Sequence, residues 1–335
     1  MIGLVTLNEL AKILGLSEAT VSNALTGKGR MKDETREKVY TAALQYGYKF
    51  KDRKTSVNRV IIVAEDRNSI NTNPITAGID FVSKTNNVFW QVINLDIFTR
   101  GMQRAPESET LRALIEEMLG QLAFKPSGMI YISNYPRKVP GLFDGLGFPV
   151  VAVKMRSSGE SAYIDQDEQQ GAYAAVEYLY TIGRRNIAVL SGEINTYSSS
   201  ERMIGYQRAL IDHFLSYHPK YIWIGDWEPE SGYKMCKNLM AQHNPPDAIF
   251  SMNDGMAKGV YKALKELGLS IPGDVSVIGF DNTLECKMME PELTSVNPPL
   301  WQIGASAAQK LLLLLKGIQA DNSLIPCEIV KRQSC

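Results

Sequence analysis

The 335-residue sequence has few of the residues that build metal sites or disulfide frameworks. It holds four cysteines and three histidines, and no two cysteines have CxxC spacing. These residues are Cys236, Cys286, Cys327, Cys335, His213, His218 and His243. Scattered thiols are typical of a protein kept reduced in the cytosol, and the histidines lack the spacing of metal ligands. We therefore expect a cytoplasmic protein without a metal ion, a cofactor or a disulfide.

Long hydrophobic segments are also missing. The longest leucine run, Leu311–Leu315, lies between two lysines and predicts a buried helix rather than a membrane span. We expect no secretory signal, because Asn8, Glu9 and Lys12 interrupt the apolar stretch near the N-terminus. We therefore predict that this protein does not associate with a membrane.

Motifs of the common α/β enzymes are absent as well. The sequence has no GxGxxG after a strand, and no GxxxxGK(S/T), HExxH or GxSxG. Asp165 and Asp167 could form an acid/base pair, but we interpret them as solvated loop charges. A metabolic enzyme remains an alternative that these absences argue against, so we predict no catalytic residues.

What the chain does have is a helix-turn-helix pattern within Thr6–Asn23. Thr6 can cap a helix, and Glu9 can reach back to it in a capping box. Gly15 breaks this helix, and Ser17 can cap a second helix directly after it. Two short helices joined by a tight turn form the pattern whose second helix enters the DNA major groove. A plain helical hairpin has the same spacing, so the pattern alone leaves both interpretations open.

The outward side of the second helix is small and polar, which suits contact with base edges. It is formed by Glu18, Ala19, Thr20, Ser22 and Asn23. A glycine-rich loop with Lys28 and Arg30 follows, and we predict a third helix from Asp33 to Tyr46. Residues 1–60 carry 11 Lys and Arg against six Asp and Glu. We therefore expect a basic head in which Lys28 and Arg30 neutralise backbone phosphates.

After this head, short apolar runs alternate with amphipathic stretches, which predicts parallel sheets covered by helices. The predicted strands are Val60–Ala64, Phe89–Leu95, Met129–Ser133, Val150–Val153, Ile187–Ser191, Tyr221–Gly225, Ala248–Met252 and Val275–Gly279. The predicted helices are Glu107–Leu122, Gly171–Ile182, Glu201–Phe214, Ser231–Met240 and Gly255–Leu267. Eight strands that divide evenly near residue 160 predict two similar sheets with a ligand cleft between them.

Four side chains near strand ends or helix starts suit a polyhydroxylated ligand. Planar polar groups can bind neighbouring hydroxyls, and an aromatic ring can cover the apolar side of a sugar. These side chains are Arg202, Trp227, Asn253 and Asp281. Each has a plainer alternative. Arg202 could form a surface salt bridge and Trp227 could be a core ring, while Asn253 could be a turn residue and Asp281 could cap a loop.

The segments TLNELAKILGLSEATVSNALTGKGR and ETREKVYTAALQYGY resemble the DNA-binding head of the lactose-repressor/galactose-repressor family of bacterial transcription regulators. The resemblance implies that the helix from Ser17 reads bases and that Leu7, Glu18, Ala19 and Asn23 lie at the groove. Many members carry arginine where this chain has Asn23, and asparagine pairs with adenine rather than guanine. The predicted DNA-binding residues are Thr6, Leu7, Ser17, Glu18, Ala19, Thr20, Ser22, Asn23, Lys28, Arg30 and Tyr48.

The linker differs from the family pattern. Members usually have a proline and a short hinge helix here, whose leucine inserts into the minor groove. Residues 49–59 contain no proline and no leucine, and Phe50 and Val57 are their only sizeable apolar side chains. We expect lysine contacts to the DNA backbone instead of a leucine wedge, with a disordered tether as the alternative in the absence of DNA.

The second half resembles the effector domain of the same family, which has the periplasmic sugar-binding-protein fold. The resemblance is carried by DAIFSMNDGMAKGVYKALKELGLSIPGDVSVIGFDN and by PELTSVNPPLWQIGASAAQKLLLLLKG. It implies that Arg202, Trp227, Asn253 and Asp281 contact the effector. Residues 65–125 match least.

We therefore predict an all-α helix-turn-helix head and an α/β periplasmic-binding-protein-like core of two parallel-sheet subdomains. The predicted domains are residues 1–48, a linker at 49–59 and a core at 60–335. The core divides into about 60–162 with 295–323, and 163–294 with 324–335. We predict a homodimeric repressor that binds an operator in double-stranded DNA under the control of a small effector, and we expect this effector to be a sugar. A sugar-binding protein with weakened or lost DNA binding is the alternative.

Overall fold

The computed structural model of the protein describes residues 6–26, 35, 38, 39, 42, 58–86, 88–95, 107–159 and 161–335. The chain divides into two compact units, Met1–Val57 and Asn58–Cys335. Two of the predicted features, the glycine-rich loop and residues 49–57 of the linker, lie outside the described residues.

The first unit contains helices α1 (Leu7–Leu14) and α2 (Glu18–Thr26). Their apolar sides meet in a buried cluster, because the apolar side chains repeat at helical spacing. The cluster consists of Leu10, Ala11, Val21, Ala24, Leu25, Val39 and Ala42. Of the predicted third helix the structure describes four residues, each of them helical: Thr35, Lys38, Val39 and Ala42.

The second unit is built from alternating strands and helices. The strands within its described residues are β1 (Arg59–Ala64), β2 (Phe89–Asn94), β3 (Gly128–Lys138), β4 (Val150–Arg156), β5 (Ala162–Gln166), β6 (Ile187–Ser191), β7 (Ile222–Ile224), β8 (Ala248–Ser251), β9 (Ser276–Phe280), β10 (Thr294–Asn297), β11 (Ser323–Ile325) and β12 (Glu328–Val330). The α-helices of the same residues are α3 (Thr72–Asn86), α4 (Ser108–Gly120), α5 (Glu168–Thr181), α6 (Tyr197–Asp212), α7 (Pro229–Met240), α8 (Asp254–Glu266) and α9 (Leu300–Leu315).

The strands form two six-stranded sheets, in the orders β11-β5-β4-β3-β1-β2 and β12-β10-β9-β8-β6-β7. All neighbours pair in parallel except β10 and β12, which are antiparallel. Helices α3 and α9 cover one face of the first sheet and α4 the other. The second sheet shares one core with α5–α8. We call the two sheets with their helices the first and second subdomains.

The chain passes between the two subdomains three times. Strand β5 continues the first sheet to Gln166, β10 continues the second sheet to Asn297, and β11 continues the first sheet to Ile325. The boundaries expected at about 162, 294 and 323 therefore lie two to four residues before the ends of these strands. The reason is that β5, β10 and β11 are short and partly polar, and their sheet partners are distant in sequence.

Strand β3 is longer than expected because its pairing with β4 resumes after an irregularity. The register shifts between Ile132 and Arg137, after which Arg137 lies opposite Met155 and Lys138 opposite Arg156. Basic side chains are thereby carried at the carboxyl ends of two adjacent strands.

No helix among the described residues is long and apolar enough to cross a bilayer. Within the same residues, no three His, Cys, Asp or Glu side chains are grouped so that they could hold a metal ion.

Candidate functional site

The predicted capping box at the start of α1 is present. The Thr6 backbone N–H donates to Glu9 Oε2 at 2.8 Å, and Thr6 Oγ1 accepts from the Glu9 N–H at 3.4 Å. At the other end, Gly15 has φ 65°, a left-handed conformation that favours glycine. Ser17 Oγ then accepts from the Thr20 N–H at 3.1 Å, as expected for the cap of α2. These contacts set the turn between the two helices.

The two sides of α2 differ in chemistry. Val21, Ala24 and Leu25 are buried against α1, whereas Ser17, Glu18, Ala19 and Asn23 are exposed, and Thr20 and Ser22 are partly buried. The exposed side chains are small and polar. This side of α2 can therefore offer hydrogen-bonding groups to base edges without an apolar obstruction.

Some predicted DNA-binding side chains also have structural roles. Leu7 is partly buried against the core of the head, and Thr6 serves as the cap of α1. Asn8 Nδ2 donates a hydrogen bond to Glu18 Oε1, which joins the two helices. Three other predicted residues, Lys28, Arg30 and Tyr48, lie outside the described residues.

In the second unit, Arg202 on α6 is the centre of a buried polar network. Its Nε donates to Glu168 Oε2 at 2.6 Å and its Nη2 to Glu168 Oε1 at 3.2 Å, while Nη1 bonds the Met252 carbonyl. The guanidinium also lies 3.5 Å from the ring centroid of Phe280. Arg202 is only 4% exposed. The expected alternative, a surface salt bridge, is therefore excluded.

Asp281 follows β9 and lies beside this guanidinium. Its Oδ1 is 3.5 Å from Arg202 Nη2, and its backbone has φ 99°, which is strained for a residue with a side chain. Burial raises the pKa of Asp281 to about 7, although Arg202 opposes the shift and Asp254 adds to it. At neutral pH this carboxyl can therefore either donate or accept a hydrogen bond.

Trp227 and Asn253 contact each other next to Arg202. Asn253 Nδ2 donates to the Trp227 carbonyl at 2.9 Å, and Asn253 Oδ1 accepts from the Met256 N–H at 2.8 Å as the cap of α8. The Trp227 ring is 5.9 Å from the Arg202 guanidinium and packs so closely on Gly192 that a Cβ there would clash with it. The four predicted effector residues thus lie together at the carboxyl ends of the second sheet.

Sequence reasoning missed several groups of this site. Glu168, the partner of Arg202, is fully buried, and the helix predicted from Gly171 begins three residues too late to include it. The interpretation of Asp165 as a solvated loop charge is wrong, because Asp165 lies in β5 and has no exposed surface. Asp167 caps α5 by accepting from the Gln170 N–H at 3.0 Å.

The first subdomain contributes basic groups that were also missed. Lys154 on β4 is buried, and burial lowers its pKa, opposed by the carboxylates of Asp165, Asp281 and Glu168. Asp281 and Glu168 belong to the second subdomain, so Lys154 faces that subdomain. The signal that could have found Lys154 is a lysine inside an apolar run that continues Val150–Val153.

Two aromatic–cation contacts join the subdomains at the start of α6. Lys138 Nζ lies 5.2 Å and Arg156 Cζ 4.9 Å from the ring centroid of Tyr197. Arg156 Nη2 is also 3.8 Å from Glu201 Oε2. Since Lys138 and Arg156 belong to the first subdomain and Tyr197 to the second, these contacts depend on the distance between the two subdomains.

Comparison with known proteins identifies both units. A family model described as bacterial regulatory proteins, lacI family, matches residues 6–49, and a periplasmic binding protein-like domain matches residues 176–335. Catabolite control protein A from Priestia megaterium is 30% identical over 98% of this chain and 99% of that protein. The transcriptional repressor PurR from Actinobacillus pleuropneumoniae serotype 3 (strain JL03) is 28% identical over 95% of this chain and 92% of its own.

Solved structures show the same fold. The lac repressor dimer bound to operator and the anti-inducer ONPF superposes with a TM-score of 0.70 at 24% identity, over 99% of both chains. The lac repressor bound to ONPG in its repressed state gives a TM-score of 0.69 at 25% identity, over 99% of this chain and 100% of that chain. The predicted fold class, a helix-turn-helix head with a two-sheet core, is confirmed. The chain belongs to the lacI family of bacterial regulatory proteins.

Proposed function

We propose that this DNA-binding regulator is a repressor that recognises a near-palindromic operator as a homodimer. Its affinity for the operator is controlled by a small carbohydrate bound between the two subdomains. Dimerisation supplies avidity, because one small head alone binds DNA weakly. The relatives that span nearly the whole chain include proteins named as transcriptional repressors, which supports repression as the direction of control.

The exposed polar side of α2 is the observation that carries the DNA-binding part. Val21, Ala24 and Leu25 are buried on the opposite side, so the helix has only one orientation in the head. Asn23 is exposed and can pair in a bidentate manner with adenine in the major groove. We assign the discriminating base contact to Asn23, and phosphate contacts to Lys28 and Arg30.

The cleft network supports a carbohydrate effector. The Arg202 guanidinium lies 5.9 Å from the Trp227 ring centroid, Asp281 lies beside that guanidinium, and Asn253 donates to the Trp227 carbonyl. Planar polar groups near an aromatic ring are the combination that sugar rings use. Because Arg202 donates two hydrogen bonds to Glu168, its guanidinium is already oriented before a ligand binds. A pre-oriented group loses less conformational entropy on binding.

Control of the head requires that the effector bind one arrangement of the lobes better than the other. The Tyr197 contacts with Lys138 and Arg156 cross the cleft and therefore change when the lobes move. A coupling free energy of about 1–3 kcal/mol is typical for such control.

Fluorescence anisotropy tests this function with the intergenic DNA upstream of the gene and a random duplex of equal length. We expect the purified dimer to prefer the upstream DNA by about a thousandfold or more at physiological salt. Candidate sugars should then change that affinity by about fivefold to 150-fold. Equal affinity for both duplexes would contradict operator recognition, and the alternative of a sugar-binding protein without DNA function would then hold.

A further inference from the structure

The first subdomain carries four cations at the carboxyl ends of two adjacent strands. Arg137 and Lys138 end β3, and Lys154 and Arg156 lie on the adjacent β4. The parallel pairing places Lys138 directly opposite Arg156. We call these four residues the basic wall.

Lys154 is the most unusual member of the basic wall. It is 4% exposed and has φ 56°, yet no hydrogen bond or ion pair joins its ammonium group to another described residue. Burying a charged group without a partner costs several kcal/mol. Such a group is therefore expected to have a counter-charge in the functional state.

Other donors of the wall are also without acceptors. Arg156 Nε, Arg137 Nε and Arg137 Nη1 are buried and have no hydrogen-bond partner among the described residues. The Tyr197 hydroxyl is also buried and has no hydrogen-bond partner among the described residues. The Tyr197 ring belongs to the second subdomain and lies beside Arg156. An oxygen-rich group placed beside Arg156 and Tyr197 would meet donors of both residues.

The carboxylates nearby are mostly engaged with other groups. Glu168 accepts from Arg202, Ser198 and Gln166, and Glu65 accepts from Tyr131 and the Asn134 N–H as well as pairing with Arg137. Asp281 lies beside Arg202. These carboxylates therefore do not cancel the charge of Lys154 by direct contact.

Asp165 is the exception, since its Oδ2 is buried without a partner. Burial and the neighbouring Glu168 raise the pKa of Asp165 to about 7. At neutral pH a large fraction of this carboxyl is thus protonated and can act as a donor. The protonated Asp165 carboxyl is thus a further hydrogen-bond donor that an anion could accept from.

We propose that the effector is an anionic polyol, whose carboxylate or phosphate group is bound by Lys154 while its hydroxyls contact the side of Arg202 and Asp281. This inference rests on the proposed role of the cleft as the effector site, and it narrows the ligand to acidic sugars. A neutral sugar would leave the Lys154 ammonium group without a counter-charge in direct contact.

The experiment measures thermal stabilisation and calorimetric binding for the full-length protein. The probes are glucose and galactose, the matching uronates, the matching 6-phosphates and inorganic phosphate. We expect one acidic series to bind at least about tenfold more tightly than its neutral parents, since a hydrogen bond to a charged group contributes that much. The uronate and phosphate arms then separate a carboxylate effector from a phosphate effector.

Three variants assign the effect to Lys154. Lys154→Met should remove the preference for the acidic series, raising the Kd of the acidic sugar by about tenfold to a hundredfold. Lys154→Arg keeps the charge and should retain most of the preference. Lys258→Met, an exposed lysine paired with Glu285, is the control and should leave the Kd unchanged. If Lys154→Met does not fold, the wild-type preference and Lys154→Arg still decide the question.

The outcomes separate this inference from the proposed function. Equal or tighter binding of the neutral sugars would overturn the anionic effector and leave a sugar effector standing. A Lys154→Met variant that keeps the acidic preference would overturn the assignment to Lys154. No binding by any sugar, neutral or acidic, would contradict the carbohydrate effector itself.

Discussion

Arg202 and Glu168 form the buried ion pair around which the cleft is organised. Glu168 is the first residue of α5 and Arg202 lies in the second turn of α6. The two side chains are joined by hydrogen bonds of 2.6 and 3.2 Å and are almost fully buried. The pair orients the guanidinium toward Asp281 and the Trp227 ring. It therefore links the stability of the second subdomain to the geometry of the candidate effector site.

Replacing Glu168 by glutamine should destabilise the protein. The variant removes the buried carboxylate that pairs with two nitrogens of Arg202 and leaves only Asp281, 3.5 Å from Nη2. Breaking such a buried pair costs about 3–5 kcal/mol. Urea denaturation followed by circular dichroism measures the change. Glu285→Gln, which removes an exposed ion pair with Lys258, is the matched control and should cost no more than about 1 kcal/mol. Similar losses for the two variants would contradict the role of the buried pair.

Stability should fall as the pH rises from about 4 to about 7, in part because of Asp165. Its folded-state pKa of about 7 lies above the unfolded value, so the folded protein binds an extra proton within this window. One such group contributes a slope of about 1.4 kcal/mol per pH unit, which vanishes above the folded pKa.

Asp165→Asn should flatten this part of the stability profile and make the variant more stable than the wild type at pH 8. Urea denaturation at half-unit pH steps checks both results. Asp212→Asn, at an exposed ion pair with Arg208, is the control. A variant whose profile matches the wild type between pH 4 and 8 would show that Asp165 does not titrate as described.

Asp281→Ala should abolish thermal stabilisation by the effector. The Asp281 side chain is 35% exposed and its carboxyl can bond two neighbouring hydroxyls, so its loss removes a direct ligand contact. Differential scanning fluorimetry with saturating effector measures the shift. Asp212→Ala should keep the full shift. An Asp281→Ala protein that responds as strongly as the wild type would remove Asp281 from the site.

Asn23 and Arg30 should affect DNA binding in different ways. Asn23→Ala should cost about 1–3 kcal/mol at an A·T pair of the operator and leave binding to random duplex unchanged. Arg30→Ala should weaken binding to all sequences and reduce the salt slope by about one unit, because a phosphate contact carries no sequence information. Anisotropy titrations at several salt concentrations separate the two, and an unchanged slope would argue against a phosphate contact by Arg30.

The described parts of the head were predictable because their contacts are local. Thr6 with Glu9 and Ser17 with Thr20 are three residues apart, and the apolar spacing of Val21, Ala24 and Leu25 follows from helical geometry alone. The eight apolar strands were predictable for the same reason. Their apolar runs indicate strands without knowledge of their neighbours.

Strands β5, β10, β11 and β12 and helix α3 were not predicted from the sequence. The strands are three to five residues long, and partners far away in the chain stabilise them: β11 pairs with β5, and Ser295 of β10 lies opposite Val330 of β12. Short polar segments of this kind have no periodicity of their own. Their place in the sheets is decided by the three crossings between the subdomains.

The sequence by itself determined the helix-turn-helix head, the two-sheet core and the candidate side chains Arg202, Trp227, Asn253 and Asp281, because the composition and spacing of short segments carry that information. Only the tertiary structure showed that Glu168 lies behind Arg202 and that Lys154 faces Asp165 and Asp281. Lys154 and Asp281 are far apart in the chain and belong to different lobes. The two side chains become buried only when both sheets have folded and packed against each other. Their shifted pKa values therefore depend on the tertiary structure.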